Sequence, residues 1–183
     1  MNEPPPTSQS TRTHPFLTTP RLLFRVFEDT DYKALARISA SPSVSRYVDD
    51  GEPLSAANTR LWIQRSRANV ARFGYGTGAV LLRSSGELIG WAGFARGDDA
   101  SDPDDEELIY GFDEPFWGQG YGTELLAGLI RYGFEQLQLG KLRATVYRAN
   151  RASVRLLERQ GFKCTQRDYE SSGIDLYERW RDH

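Results

Sequence analysis

The chain has 183 residues, 26% of them charged, and a formal net charge of −2. That length suits one domain with a real core, and so balanced a charge speaks against a general nucleic-acid partner. No apolar run nears the ~20 residues of a membrane span, so no membrane partner is expected, and the single cysteine, Cys164, excludes an internal disulfide and suits a cytoplasmic location.

Residues 1–15 are rich in Pro, Ser, Thr and Asn and show no signal-peptide pattern, so they read as a disordered tail before a domain spanning 16–183. Residues 21–26 predict a first strand, and Asp29, Thr30 or Asp31 can cap a helix running to Ile38. A second helix follows Ser55, with Trp62, Ile63, Ser66, Val70 and Phe73 on one face. Residues 79–83 and 87–94 predict strands joined by a hairpin at Ser84-Ser85-Gly86, and 97–106 an acidic loop. An apolar strand, Leu108 to Phe112, then leads through a glycine-rich turn into a helix from Thr123 to Leu137. In the next strand Leu142, Ala144 and Val146 alternate with polar neighbours. Asn150 is a natural N-cap and Gly161 a natural C′ residue for the helix between them. Residues 162–169 and 174–180 predict two closing strands.

The glycine turn carries the chemistry. Pro115-Phe116-Trp117-Gly118-Gln119-Gly120-Tyr121-Gly122-Thr123-Glu124 leaves backbone N–H groups unpaired at the positive end of a helix dipole, a site for phosphate or pyrophosphate. Alternating glycines let the backbone approach a ligand with no Cβ in the way. The P-loop is excluded because no lysine follows the glycines, and the Rossmann fingerprint because the spacing differs. The plain alternative is a tight turn that packs strand on helix. The histidines, His14 and His183, sit in the terminal tails, which excludes a Ser-His-Asp relay in the folded body. Without clustered Cys and His no metal is expected. Carboxylates, hydroxyls and backbone amides remain.

Taken together, the glycine turn and the run Asn150-Arg151-Ala152-Ser153 through Gly161-Phe162 resemble motifs A and B of the GNAT superfamily of acyl-CoA N-acyltransferases. Thr19-Pro20-Arg21-Leu22-Leu23-Phe24-Arg25, Asp31 and Trp117-Gly118-Gln119-Gly120-Tyr121-Gly122-Thr123-Glu124 resemble its RimJ/RimL-type branch, which acetylates N-terminal amines of ribosomal proteins. The resemblance implies an α/β (α+β) single domain, with a central mixed, mostly antiparallel sheet flanked by helices. It implies transfer of an acetyl group from acetyl-CoA to a primary amine, either a peptide N-terminus or a small-molecule amine. A non-catalytic acyl-CoA-binding module is the rival reading, and both monomer and homodimer are compatible with it.

The same resemblance implies the site residues. Gly111, Phe112, Trp117, Gly118, Gln119, Gly120, Tyr121, Gly122, Thr123, Asn150 and Ser153 would hold coenzyme A. Glu107 would act as base, directly or through water, with Glu106 as its nearest substitute, and Asn150 and Ser153 would complete the catalytic set. A backbone N–H near Gly111 or Phe112 would meet the developing oxyanion. Three positions depart from the family pattern. Ile109-Tyr110 replaces a Gly-Tyr pair, and Trp117 stands where many relatives carry Arg or Gln. Leu157 takes the place of a tyrosine that protonates the departing thiolate, which leaves Ser153 or water for that task. Trp62, Trp91 and Phe94 either line the acceptor pocket or pack the core, and the acidic run Asp98 to Glu107 is either a solvated loop or an attractor of cationic amines.

Overall fold

The computed structural model describes residues 16–96, 106–169 and 173–181. The expected tail, both histidines and the acidic loop up to Asp105 lie outside the described residues. Strands β1 (Leu17–Thr18), β2 (Leu22–Arg25), β3 (Thr77–Leu82), β4 (Leu88–Ala95), β5 (Glu107–Phe112), β6 (Lys141–Tyr147), β7 (Lys163–Tyr169) and β8 (Ile174–Trp180) form one sheet. Its order is β1-β2-β3-β4-β5-β6-β8-β7. Every neighbouring pair is antiparallel except β5 and β6.

Helices α1 (Tyr32–Ser39), α2 (Pro42–Ser45), α3 (Ala56–Phe73), α4 (Tyr121–Arg131) and α5 (Arg151–Arg159) cover the two faces. On one side Leu125, Leu126 and Leu129 of α4 and Leu157 of α5 share a core with Phe24, Val80, Phe94, Leu108 and Leu142. On the other, Leu35 and Ile38 of α1 and Ile63 of α3 pack with Phe27, Ala79, Leu81 and Trp91. With both faces covered, β3 and β4 are buried almost throughout and read as continuous apolar runs. In β6 burial alternates, matching the period of Leu142, Ala144 and Val146.

The caps at Ser55, Asn150 and Gly161 fall where the sequence puts them, whereas Asp31, at the N-cap of α1, makes no side-chain cap bond and accepts instead from Arg25 at 2.7 Å and the Glu28 N–H at 2.7 Å. Ser55 Oγ accepts from the Asn58 N–H at 3.2 Å, and Asn150 Oδ1 accepts from the Ser153 N–H at 3.2 Å. Gly161, at φ +81°, closes α5 with the paired bonds Phe162 N–H to Leu157 O and Gly161 N–H to Glu158 O, a Schellman ending. Two short elements, β1 and α2, escape a periodicity argument because neither completes a repeat. The helix expected to run from Thr123 to Leu137 instead starts at Tyr121 and ends its α-portion at Arg131. Residues Tyr132–Gln136 form a π turn, closed by the Leu137 N–H on Tyr132 O at 3.1 Å. Gly133 makes room there: a Cβ would sit 2.8 Å from Leu142 Cδ2.

What positions the site is the parallel pair. β5 and β6 meet at one register point, Glu107 opposite Arg143, and then diverge. The sheet therefore opens into a fork, with the glycine turn at the far end of β5.

Candidate active site

A cavity of about 700 Å³ runs through the fork, lined from both faces of the sheet. β5 alternation sends Glu107 and Ile109 toward α3, and Leu108 and Tyr110 toward the α4 and α5 side; Ile109 packs beside Trp91, and Tyr110 against the opposite core. Glu107 sits at the vertex. Its Oε1 accepts from the Thr145 N–H at 3.0 Å and from the Thr145 hydroxyl. The side chain thus supplies the acceptor that a diverging β5 backbone no longer offers, and among the described residues nothing bonds Oε2. Glu106 is placed differently. It is fully buried, its Oε1 accepts from the Tyr75 hydroxyl at 2.6 Å, and it does not line the cavity. Burial first, and Glu106 second, push the Tyr75 phenol up to about 12.

The backbone register decides between the two oxyanion candidates. The Asp113 N–H bonds Ile89 O at 2.8 Å, and β4 and β5 stay in register to Glu107. Alternation then directs the Gly111 N–H at Trp91, and the Tyr110 and Phe112 N–H groups away from β4 into the fork. Phe112 is the one that fits, and Gly111 does not. Gly111 is glycine for a packing reason: a Cβ there would meet the Trp91 ring at 2.3 Å.

At the open end, Gly118 and Gly120 take positive φ, +72° and +81°. The first backbone N–H bonded toward α4 is that of Glu124, on Gly120 O at 3.1 Å; those of residues 118 to 123 have no partner among the described residues. These donors, at a helix N-terminus and clear of Cβ atoms, fit a pyrophosphate. Gly122 instead serves packing, since its Cβ would stand 3.0 Å from Leu156 Cδ2. Gln119 Nε2 donates back to Pro115 O at 2.7 Å, and the half-exposed Trp117 pins its indole N–H on Phe112 O at 2.7 Å. Arg21 clamps the turn. Its backbone N–H and its Nε bond the two Glu124 oxygens at 2.7 and 2.6 Å, and Nη1 donates to Gln119 O at 3.0 Å. Against the upward push of burial, bonds from Thr19 and Arg21 hold the Glu124 carboxyl below its ordinary range.

Opposite β5, α5 brings Asn150, Ser153 and Leu157 to the cavity. Asn150 caps the helix with its side chain, Oδ1 taking the Ser153 N–H, while its carbonyl accepts the Val154 N–H at 3.0 Å, and the residue also lines the cavity. Leu157 is a core residue, 1% exposed. The Tyr110 hydroxyl lies 2.6 Å from Ser153 Oγ.

The α3 side forms the other wall. A stripe of Asn58, Leu61, Trp62, Arg65, Ser66 and Asn69 at helical spacing faces the cavity. Leu61 stays 42% exposed there, which marks a cleft lining and not a core position. Trp91 and Phe94 both line the cavity and pack the core, so the two roles coincide. Tyr147 at the end of β6 donates to Asp49 O at 2.6 Å, tying the α2–α3 loop across the mouth.

An acetyltransferase (GNAT) domain model matches residues 21–163. The chain belongs to the GNAT acetyltransferases. Uncharacterized N-acetyltransferase p20 of Bacillus licheniformis is 30% identical over 173 residues, covering 88% of this acetyltransferase and 92% of that protein. An acetyltransferase structure from Agrobacterium tumefaciens superposes with a TM-score of 0.78 at 28% identity, covering 98% and 100% of the two chains. RimL, a ribosomal L7/L12 α-N-protein acetyltransferase solved with coenzyme A, shares the fold at TM-score 0.77 and 19% identity, covering 92% and 99%.

For this acetyltransferase, sequence reasoning missed Thr145, Arg21, Tyr110 and, apart from Trp62, the α3 stripe. The spacing of Asn58, Leu61, Arg65 and Asn69 is a readable signal for the last. The partners of the other three, Glu107, Glu124 and Ser153, lie in elements distant in the chain.

Proposed function

We propose that this acetyltransferase moves an acetyl group from acetyl-CoA to a primary amine by direct attack inside the β5–β6 fork. One observation carries the reading. A single cavity brings the Glu107 carboxylate from one face of β5 together with Asn150 and Ser153 from the other, and the orphan N–H groups before α4 follow at the end of the same strand. Gly118, Gly120 and the first turn of α4 would hold the pyrophosphate, with Asn150 and Ser153 beside the pantetheine arm. Acetyl-CoA, when bound, supplies an acyl carbon on an alkyl thiolate, a far less basic leaving group than an alkoxide.

The chain's own residues do the rest. An acceptor arrives from the α3 side as an ammonium, with pKa about 8 for an α-amine or about 10 for a lysine-like amine. Glu107 takes its proton, directly or through one water. The Phe112 N–H stabilises charge as it develops on the carbonyl oxygen. Ser153 donates a hydrogen bond toward the departing sulfur. The RimJ/RimL-like motifs favour a peptide α-amine as acceptor and a cytoplasmic setting, and a small-molecule amine is the alternative. The experiment is a panel of peptide N-termini and small amines, scored for thiol release and for acetylated product by mass. Release that depends on an amine supports transfer. Acetyl-CoA binding with no release for any amine supports the binding module instead.

A further inference from the structure

Leu157 leaves α5 without a phenol near the thioester, yet a phenol reaches the same spot from the sheet. Tyr110, on the α5-facing side of β5, places its hydroxyl 2.6 Å from Ser153 Oγ, and both side chains line the cavity. Resting on the transfer reading above, we propose that Tyr110 is a positioning residue. Its phenol donates to Ser153 Oγ and so turns the Ser153 proton toward the departing sulfur.

Three observations support this. The Ser153 N–H is held by Asn150 Oδ1 at 3.2 Å, which fixes the residue in the first turn of α5. A serine there otherwise tends to bond local backbone; here its hydroxyl is bonded across to another element. A phenol is a stronger acid than an alkyl hydroxyl, so Tyr110 is the donor of the pair. Burial pushes the phenol up to about 12, against the pull of the Ser153 bond, so Tyr110 keeps its proton through the working range. With its oxygen accepting from Tyr110, Ser153 has one proton to give and the cavity is where it points. Hydrogen bonds in series strengthen one another.

The step balances without ionising either hydroxyl. Glu107 takes one proton from the ammonium before attack; the freed amine nitrogen then forms its bond to the acyl carbon and sheds its second proton to solvent water. The carbon–sulfur bond breaks, its electron pair stays on sulfur, and the thiolate accepts a hydrogen bond from Ser153. Tyr110 and Ser153 keep their protons, and solvent later equilibrates the thiol.

A double-mutant cycle tests this on the whole chain. Tyr110→Phe should lower kcat about tenfold, the value of one hydrogen bond, with the KM for acetyl-CoA unchanged. In a Ser153→Ala background, the same change should alter kcat by less than about twofold, because its target is gone. Equal losses in both backgrounds mean a packing role and overturn the proposal. In the free protein, the ¹³Cζ resonance of Tyr110, assigned by its loss in Tyr110→Phe, should move on Ser153→Ala. A resonance that stays put shows no such hydrogen bond in solution and also overturns it. Failure of the transfer reading is separate: it appears as no amine-dependent release by the unaltered chain.

Discussion

Glu107→Gln isolates the base. In the fork, Oε1 of Glu107 serves the Thr145 N–H at 3.0 Å and the Thr145 hydroxyl. Glutamine can keep an oxygen there and place its nitrogen where Oε2 stood, so Thr145 stays satisfied. The fold should lose only the difference between charge-assisted and neutral bonds, about 1 kcal/mol. Catalysis should lose far more. Removing a general base costs about 10²–10⁴-fold in kcat/KM, or about 2.7–5.4 kcal/mol at 1.36 kcal/mol per decade. The pH profile carries the sign. An intact Glu107 deprotonates a bound ammonium, so kcat/KM should vary little between pH 7 and the pKa of the amine. The variant must wait for free amine, so its kcat/KM should rise tenfold per pH unit until about pH 8 for an α-amine or about 10 for a lysine-like one. Thiol release at saturating acetyl-CoA reads both curves. Glu107→Ala is the structural control. It strands the Thr145 donors, at about 1–3 kcal/mol, and should lower Tm further than glutamine does. A Glu107→Gln protein with near-full activity and an unaltered pH profile would refute the assignment.

Gly111→Ala places a methyl group 2.3 Å from the ring of Trp91, which is 3% exposed and packed edge-on against Trp62 at 5.3 Å. Overpacking of this kind costs about 1–3 kcal/mol, or about 2–12 °C in Tm for a chain of this size, and a melt matching the unaltered chain would refute it. Asp175 accepts from Arg148 at 2.8 Å, Arg167 at 3.0 Å and the Asp168 N–H at 3.0 Å. The Arg148 bond above all, against the opposing push of burial, holds its carboxyl down to about 2 from 3.8. A depressed folded value means stability that is present above the unfolded value and lost as pH falls from about 4 toward 2. Asp175→Asn should therefore melt below the unaltered chain at pH 7, with the gap closing across that window; a gap constant down to pH 2 would count against the cluster.

Local rules read most of the scaffold. Ser55, Asn150 and Gly161 announce their helix ends because caps depend on neighbours a few residues away. The alternation of β6 and the continuous burial of β3 and β4 follow from which faces are covered. The glycine turn was legible for the same reason: N–H groups are orphaned by geometry inside one segment. The fork was not. It arises because β5 and β6 run parallel and meet only at Glu107 and Arg143, a fact of topology spread over the intervening helix. With it came everything that depends on long-range placement, including the Thr145 bonds to Glu107, the Arg21 clamp on Glu124 and the meeting of Tyr110 with Ser153. Glu106 and Glu107, neighbours in one acidic run, could be separated only by seeing which faces the cavity.

Binding of acetyl-CoA at the glycine turn is the claim on which the rest depends, and Gly118 is its sharpest probe. A Cβ at Gly118 meets nothing within 4 Å, whereas one at Gly120 stands 3.4 Å from the Arg21 guanidinium, which an added carboxylate would pair with. Gly118 has φ +72°, a conformation that Asn and Asp tolerate best among other residues. Gly118→Asn and Gly118→Asp therefore carry similar strain and differ by one charge. Calorimetric titration with acetyl-CoA should find Gly118→Asp weaker than Gly118→Asn by at least about tenfold, or 1.4 kcal/mol, with the gap shrinking in high salt. Equal affinities for the two folded variants would contradict the account and move the pyrophosphate away from this turn.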